Sequence, residues 1–207
     1  ANILIETFDK LSPDFGELVY PGEGYCGLQE FHGNDTDKYV YEIPDNEESL
    51  LDSAGVPNSA KLAMAMFFVG NAIRMSRGDS GNHAMLIHPS QKKSDHEVVV
   101  SKLQSILEDW KDKAKVRLAG RYDISYDNLR GILTDAYNHF KNDGVICGDT
   151  FDKLELSVLD AIRNCSPILK TNSDENASSN ASLYKTNIFV GGNLVERGIT
   201  IKGLAVT

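Results

Sequence analysis

From Asn58 onward the apolar residues of this chain recur at helical spacing or gather into short runs, whereas before it there is no sustained helical period. The segment "NSAKLAMAMFFVGNAIRMSRG" sets Leu62, Met66, Val69 and Ile73 on one helical row, with an Asn/Ser start as N-cap and Gly78 as the stop. It is apolar nearly all round, which predicts a buried helix. "HAMLIHPS" predicts a short inner strand closed by His88 and Pro89. Two amphipathic helices with good caps follow: one puts Val98, Leu103, Ile106, Leu107 and Trp110 on one face, the other Leu129, Leu133, Ala136 and Phe140. "GVICGD" predicts a further strand, "TFDKLELSVLDAIRN" a helix started by Thr150, and "SPILKTN" a strand. The low-complexity run from Asn172 to Ser182 predicts a mobile loop, being small and polar. Two last strands, Ile188 to Val190 and Leu204 to Val206, flank a glycine-bearing turn. Strands alternating with helices indicate an α/β fold with a mainly parallel sheet covered by helices.

Residues 1–57 read as loops and short strands, rich in Gly, Pro and acidic side chains, and are expected to form a connecting segment ahead of a domain at 58–207. The chain has 207 residues, 41% of them hydrophobic, enough for a substantial core. No apolar run approaches the ~18 residues of a membrane helix and the start lacks the pattern of a signal peptide, so a cytoplasmic protein with no membrane contact is expected. The three cysteines, Cys26, Cys147 and Cys165, are far apart and unpaired in spacing, so disulfides are not expected. A formal charge of -9 argues against indiscriminate polyanion binding but leaves room for a local basic patch.

Candidate chemistry concentrates in "GGNLVERG", where Gly191, Gly192 and Gly198 surround Asn193, Glu196 and Arg197 at the end of a predicted strand. Ligands of open α/β sheets sit at that end, glycines let backbone amides approach an anion, and an arginine can hold a phosphate bidentately. A tight turn carrying ordinary surface charges has the same spelling. His83, His88, His96 and Asp95 match no zinc spacing, and a polar loop at a helix start accounts for them; no metal site is assigned. Asp149, Asp152, Lys153 and Glu155 are the residue types of a metal-dependent nuclease, but their spacing suits a helix start, and no nuclease centre is assigned.

The glycine-bearing segment resembles helicase motif V, with Gly192 and Asn193 on its Thr-Asp pair and Arg197, Gly198 and Ile199 on its Arg-Gly-Ile. Thr200 stands where most helicases carry the aspartate that reaches the nucleotide ribose. "GGNLVERGITIKGLAVT", together with "HAMLIHPS" and "SPDFGELVYPGEGYCGLQEFHG", resembles the Z-one (Z1) domain, a bacterial family linked to superfamily-two helicase-like proteins and often described as endonucleases. The resemblance implies a RecA-like fold of the P-loop NTPase type, namely the second lobe of a helicase with helical insertions. It implies a DNA-dependent ATPase acting in DNA processing or defence, with ATP and Mg as cofactors and DNA as partner. Arg197 would face the nucleotide or DNA between the lobes, and Ser90, Gln91, Lys92 and Lys93, in the loop after the first strand, would meet the DNA backbone; a solvated turn is the other reading of those four. Family members carry further helicase motifs beyond both ends of the matching region, and no Gly-Lys-Ser/Thr phosphate loop occurs here. The chain is therefore expected to be a fragment, cut short at its C-terminus and lacking the first lobe of the same polypeptide, and to need no cofactor of its own. The competing expectation is a non-catalytic protein-interaction module.

Overall fold

A computed structural model describes Gly33 and residues 40–146, 150–171, 183–191 and 201–207. The chain divides into two compact units, Ala1–Glu42 and Ile43–Thr207, and everything below concerns the second. Its elements are α1 (Asn58–Ser76), β1 (His83–Ile87), α2 (Lys93–Leu118), α3 (Tyr126–Asn142), α4 (Phe151–Arg163), β2 (Leu169–Thr171), β3 (Thr186–Gly191) and β4 (Leu204–Val206). The strands form one sheet in the order β2-β3-β1-β4, and every pairing is parallel. The class expected from the alternation of strands and helices, α/β with a parallel sheet and helical cover, is the class found. Among the described residues no helix is long and apolar enough to cross a membrane.

The side-chain alternation of a strand splits the sheet into two unequal faces. Met85, Ile188 and Val190 enter the main core with the helices, where Phe67, Phe68, Leu103, Leu107, Leu129, Leu133, Leu159 and Ile162 are all but fully buried. Ala84, Leu86 and Phe189 form a small cluster on the opposite face, with Leu169 and Ile201 against it. Phe68 is central to the main core, its ring 5.3 Å from that of Phe67 and 6.3 Å from that of Trp110.

The ends of α1, α2 and α3 follow one rule. Gly78, Gly120 and Gly144 have φ of +88, +74 and +71°, the left-handed conformation that glycine adopts without a Cβ clash. After each, the next amide reaches back five residues: Asp79 N to Arg74 O at 3.1 Å, Arg121 N to Val116 O at 3.2 Å and Val145 N to Phe140 O at 2.9 Å. These are Schellman closures, and the third corrects the strand expected at "GVICGD". Val145 and Ile146 follow α3 in a bend, packed on the core; residues 147–149 lie outside the described set. The helix starts also differ from expectation, because no side chain of an N-cap residue bonds its own helix. The α1 start is served from a distance: the Ser59 amide donates to Glu47 Oε1 at 3.0 Å, and that bond holds the Glu47 carboxyl below its usual range. Lys102 on α2 fixes the same entry segment by donating to the carbonyls of Leu50, Leu51 and Ser53 at 2.8, 3.0 and 2.7 Å.

The α2 face is rotated from the one expected. Val99, Leu103, Leu107, Trp110 and Ala114 are buried, whereas Val98 is 44% exposed. On α3, Leu129, Leu133 and Ala136 are buried as expected and Phe140 packs against the core. Cys165 is buried and reduced, and burial pushes its thiol up to about 12, so it remains a protonated core side chain at neutral pH. Cys26, Cys147, the loop from Asn172 to Ser182 and nearly all of the segment before residue 40 lie outside the described residues.

Candidate functional site at the carboxyl edge of the sheet

In a parallel sheet every strand delivers its following loop to the same edge, so the connections after β1, β2 and β3 leave this sheet together. Register decides which residues meet there. Ile87 pairs with Val190, which sets His88 opposite Gly191, and His88 Nδ1 lies 2.9 Å from the Gly191 carbonyl oxygen. A carbonyl can only accept, so Nδ1 carries the proton and donates, leaving Nε2 of the neutral ring as the lone-pair nitrogen. The exposed His88 ring therefore ties the loop after β1 to the first residue of the glycine-bearing segment.

Gly191 is required at that point by close approach. A Cβ added to it would stand 1.8 Å from Thr171 Oγ1 and 2.8 Å from the Thr171 carbonyl oxygen. The hydroxyl can rotate away but the β2 backbone cannot. Gly191→Ala is expected to cost about 1–3 kcal/mol through local overpacking, read as a lower denaturation midpoint; an unchanged midpoint would show that β2 moves freely here.

The loop from β1 to α2 is folded around Ser90. Its hydroxyl donates to Asp95 Oδ2 at 2.7 Å and accepts from the Lys92 amide at 2.9 Å, while its carbonyl receives His96 Nε2 at 2.8 Å. Asp95 sits in the first turn of α2, where its charge complements the helix dipole. Of the four expected backbone-contacting residues, Ser90 is half-buried with its proton committed to Asp95, and Gln91, Lys92 and Lys93 project into solvent. Gly191 also stands at this edge. Gly192, Asn193, Glu196, Arg197, Gly198 and Thr200 lie outside the described residues.

The histidines do not converge. His88 and His96 each meet a different backbone carbonyl, and His83 begins β1 at the other end of the strand. No group of three or more His, Cys, Asp or Glu side chains able to hold a metal occurs among the described residues. Glu155 and Asp152 turn to arginines: Glu155 accepts from Tyr126, Arg117 and Arg130, and Asp152 from Arg130. They join helices together. The bridging role of His88 had no signal in the sequence, because it depends on β1 and β3 being neighbours across about a hundred residues.

A family model, the Z1 domain, matches residues 59–207. No curated protein and no solved structure matches the chain at a significant level.

Proposed function

The chain belongs to the Z1 domain family, and on that premise we propose that this unit is the second, RecA-like lobe of an ATP-dependent, helicase-like DNA-processing protein. Its carboxyl edge lines one side of a cleft for nucleotide and DNA. The observation that carries the reading is the His88–Gly191 contact, which brings the basic loop after β1 and the root of the motif V-like segment to one edge. Ligands of open parallel sheets bind at that edge.

The described residues fit a phosphate there. Lys92 and Lys93 are exposed beside the start of α2, and the bare Cα of Gly191 keeps the root of the next loop narrow. ATP with Mg, bound between this lobe and one bearing a phosphate loop, would supply the cleavable phosphoanhydride. Arg197, on its resemblance to motif V, would then hold negative charge, with Asn193 ordering the loop and Gly192 and Gly198 permitting close backbone approach.

DNA should raise the rate of phosphate release from ATP by the full-length protein; a rate indifferent to DNA would point to a non-catalytic interaction module instead. On this reading Lys92→Glu combined with Lys93→Glu weakens DNA binding without regard to sequence. It also flattens the dependence of log affinity on log salt by roughly 0.7–0.9 per lost phosphate contact. An unaltered slope would place the DNA elsewhere.

A further inference from the structure

The amino edge of the sheet, opposite the proposed cleft, holds a buried polar group of a different kind. His83 opens β1 and is 2% exposed, and Asn71 of α1 is buried to the same degree. His83 pairs in register with Thr186, Asn71 Nδ2 donates to Thr186 Oγ1 at 2.7 Å, and the Ser166 amide donates to the Thr186 carbonyl at 2.9 Å. Asn71, His83, Ser166 and Thr186 thus gather where α1 meets the sheet. Both ring nitrogens of His83 and Oδ1 of Asn71 have no hydrogen-bond partner. Leaving these atoms unmet is costly, and it persists because the surrounding α1–sheet packing fixes the site.

Charging the ring would cost more. An imidazolium has two donors, neither ring nitrogen has a hydrogen-bond partner, and the unengaged acceptors of this group, Asn71 Oδ1 and Ser166 Oγ, are uncharged. From α1 the charged group facing His83 is Arg74, and from the turn after α1 it is Asp79. Arg74 Nε donates to Asp79 Oδ2 at 2.9 Å, and Asp79 Oδ1 accepts from the Gly81 amide at 2.8 Å, so the carboxylate is already engaged on both oxygens. From α2, Lys111 faces Cys165 beside Ser166, adding positive charge on that side. Serine, threonine and asparagine bring no charge.

We propose that His83 is a proton-operated latch holding α1 to the amino edge of the sheet: neutral, it lets Asn71 seat on Thr186, and on taking up a proton it drives that edge open. Burial, then Arg74, lower the ring's proton affinity from its usual 6.5, with Asp79 opposing less strongly. The sign follows from linkage: the unfolded chain binds this proton more readily, so the contribution is complete above about pH 6.5 and is lost as pH falls below it toward the folded value.

Between pH 7.5 and 5.5 the unfolding equilibrium constant of the protein should rise by more than that of His83→Gln, by up to about tenfold, the factor for one unfolded histidine titrating across that interval. The same pH dependence in both proteins would overturn the latch. In the unsubstituted protein, the His83 ring resonances should titrate below the ordinary histidine value of 6.5, a result that does not require the variant to fold. An ordinary His83 titration in the folded protein would equally sink the proposal. Amide exchange over 67–74, corrected for its intrinsic pH dependence, should accelerate at pH 5.5 ahead of that over 129–137; uniform protection across both would show that no local edge opens.

Discussion

Arg197→Ala in the full-length protein should lower DNA-stimulated ATP hydrolysis by at least about tenfold, with a denaturation midpoint close to that of the unsubstituted protein. A charge-assisted hydrogen bond to a phosphate contributes roughly 1.5–3 kcal/mol, and each 1.36 kcal/mol of lost transition-state stabilisation is about tenfold in rate. Substitutions of surface side chains typically change stability by no more than about 0.5 kcal/mol. The rival role for Arg197 is to pair with a neighbouring carboxylate such as Glu196 and pin the turn. That role predicts the reverse: an earlier melt and unchanged activity per folded molecule. Measuring both quantities on one preparation separates them, and an unchanged turnover number removes the motif V-like function from this residue. Arg197→Lys sharpens the comparison, because a lysine restores charge but cannot reproduce the two parallel bonds of a guanidinium.

What could be read from the chain, and what could not, divides along sequence distance. The α1 helix was legible because its apolar residues exceed what one face needs, so almost any rotation buries it. The α2 face was misjudged by one residue because Val98, Val99 and Val100 are consecutive and composition cannot choose among them. The choice falls to Val99, which continues the row Leu103, Leu107, Trp110 and Ala114. The strand expected at "GVICGD" failed for a different reason. Val145 and Ile146 have strand-like side chains, but Gly144 in the left-handed region closes α3 and aims them at the core.

At the candidate site, the glycine-rich spelling drew attention to Gly191 and the β1 loop drew attention to Ser90 through Lys93. Their adjacency required knowing that β3 inserts between β1 and β2, which local patterning does not encode. The Ser90–Asp95 bond is local, and a serine five residues before an acidic first-turn residue could have suggested it. His83 is the least legible of the group. In sequence it resembles the other histidines, and only burial without a partner distinguishes it.

Glu155→Ala should destabilise the domain by about 3 kcal/mol, the largest expected effect of a single substitution outside the apolar core. The Glu155 side chain is 7% exposed and joins three helices. It accepts from Arg117 Nη2 at the end of α2 at 3.0 Å, from Tyr126 Oη at the start of α3 at 2.9 Å and from Arg130 Nε at 3.1 Å. Arg130 also donates to Asp152 Oδ1 at 2.6 Å and lies 5.8 Å from the centre of the Phe151 ring. Burial and the carboxylate together hold the Tyr126 hydroxyl in its protonated, donating form, its proton affinity raised well above the usual phenol range. Removing the carboxylate leaves that buried hydroxyl without an acceptor, takes from Arg117 the counter-charge that Glu155 supplies, and leaves Arg130 with Asp152 alone. Breaking a buried ion pair on one side costs about 3–5 kcal/mol. The low end applies because the arginine side chains are 36% and 43% exposed and can rehydrate. For a domain of this size the midpoint should fall by roughly 6–12 °C. Glu155→Gln, which keeps the shape and an acceptor for Tyr126, should lose less. Arg117→Met with Arg130→Met should soften the cost of Glu155→Ala, since the charges it would strand are then absent. A loss below about 1 kcal/mol for Glu155→Ala, or strict additivity with the arginine changes, would mean that apolar packing alone holds these three helices together.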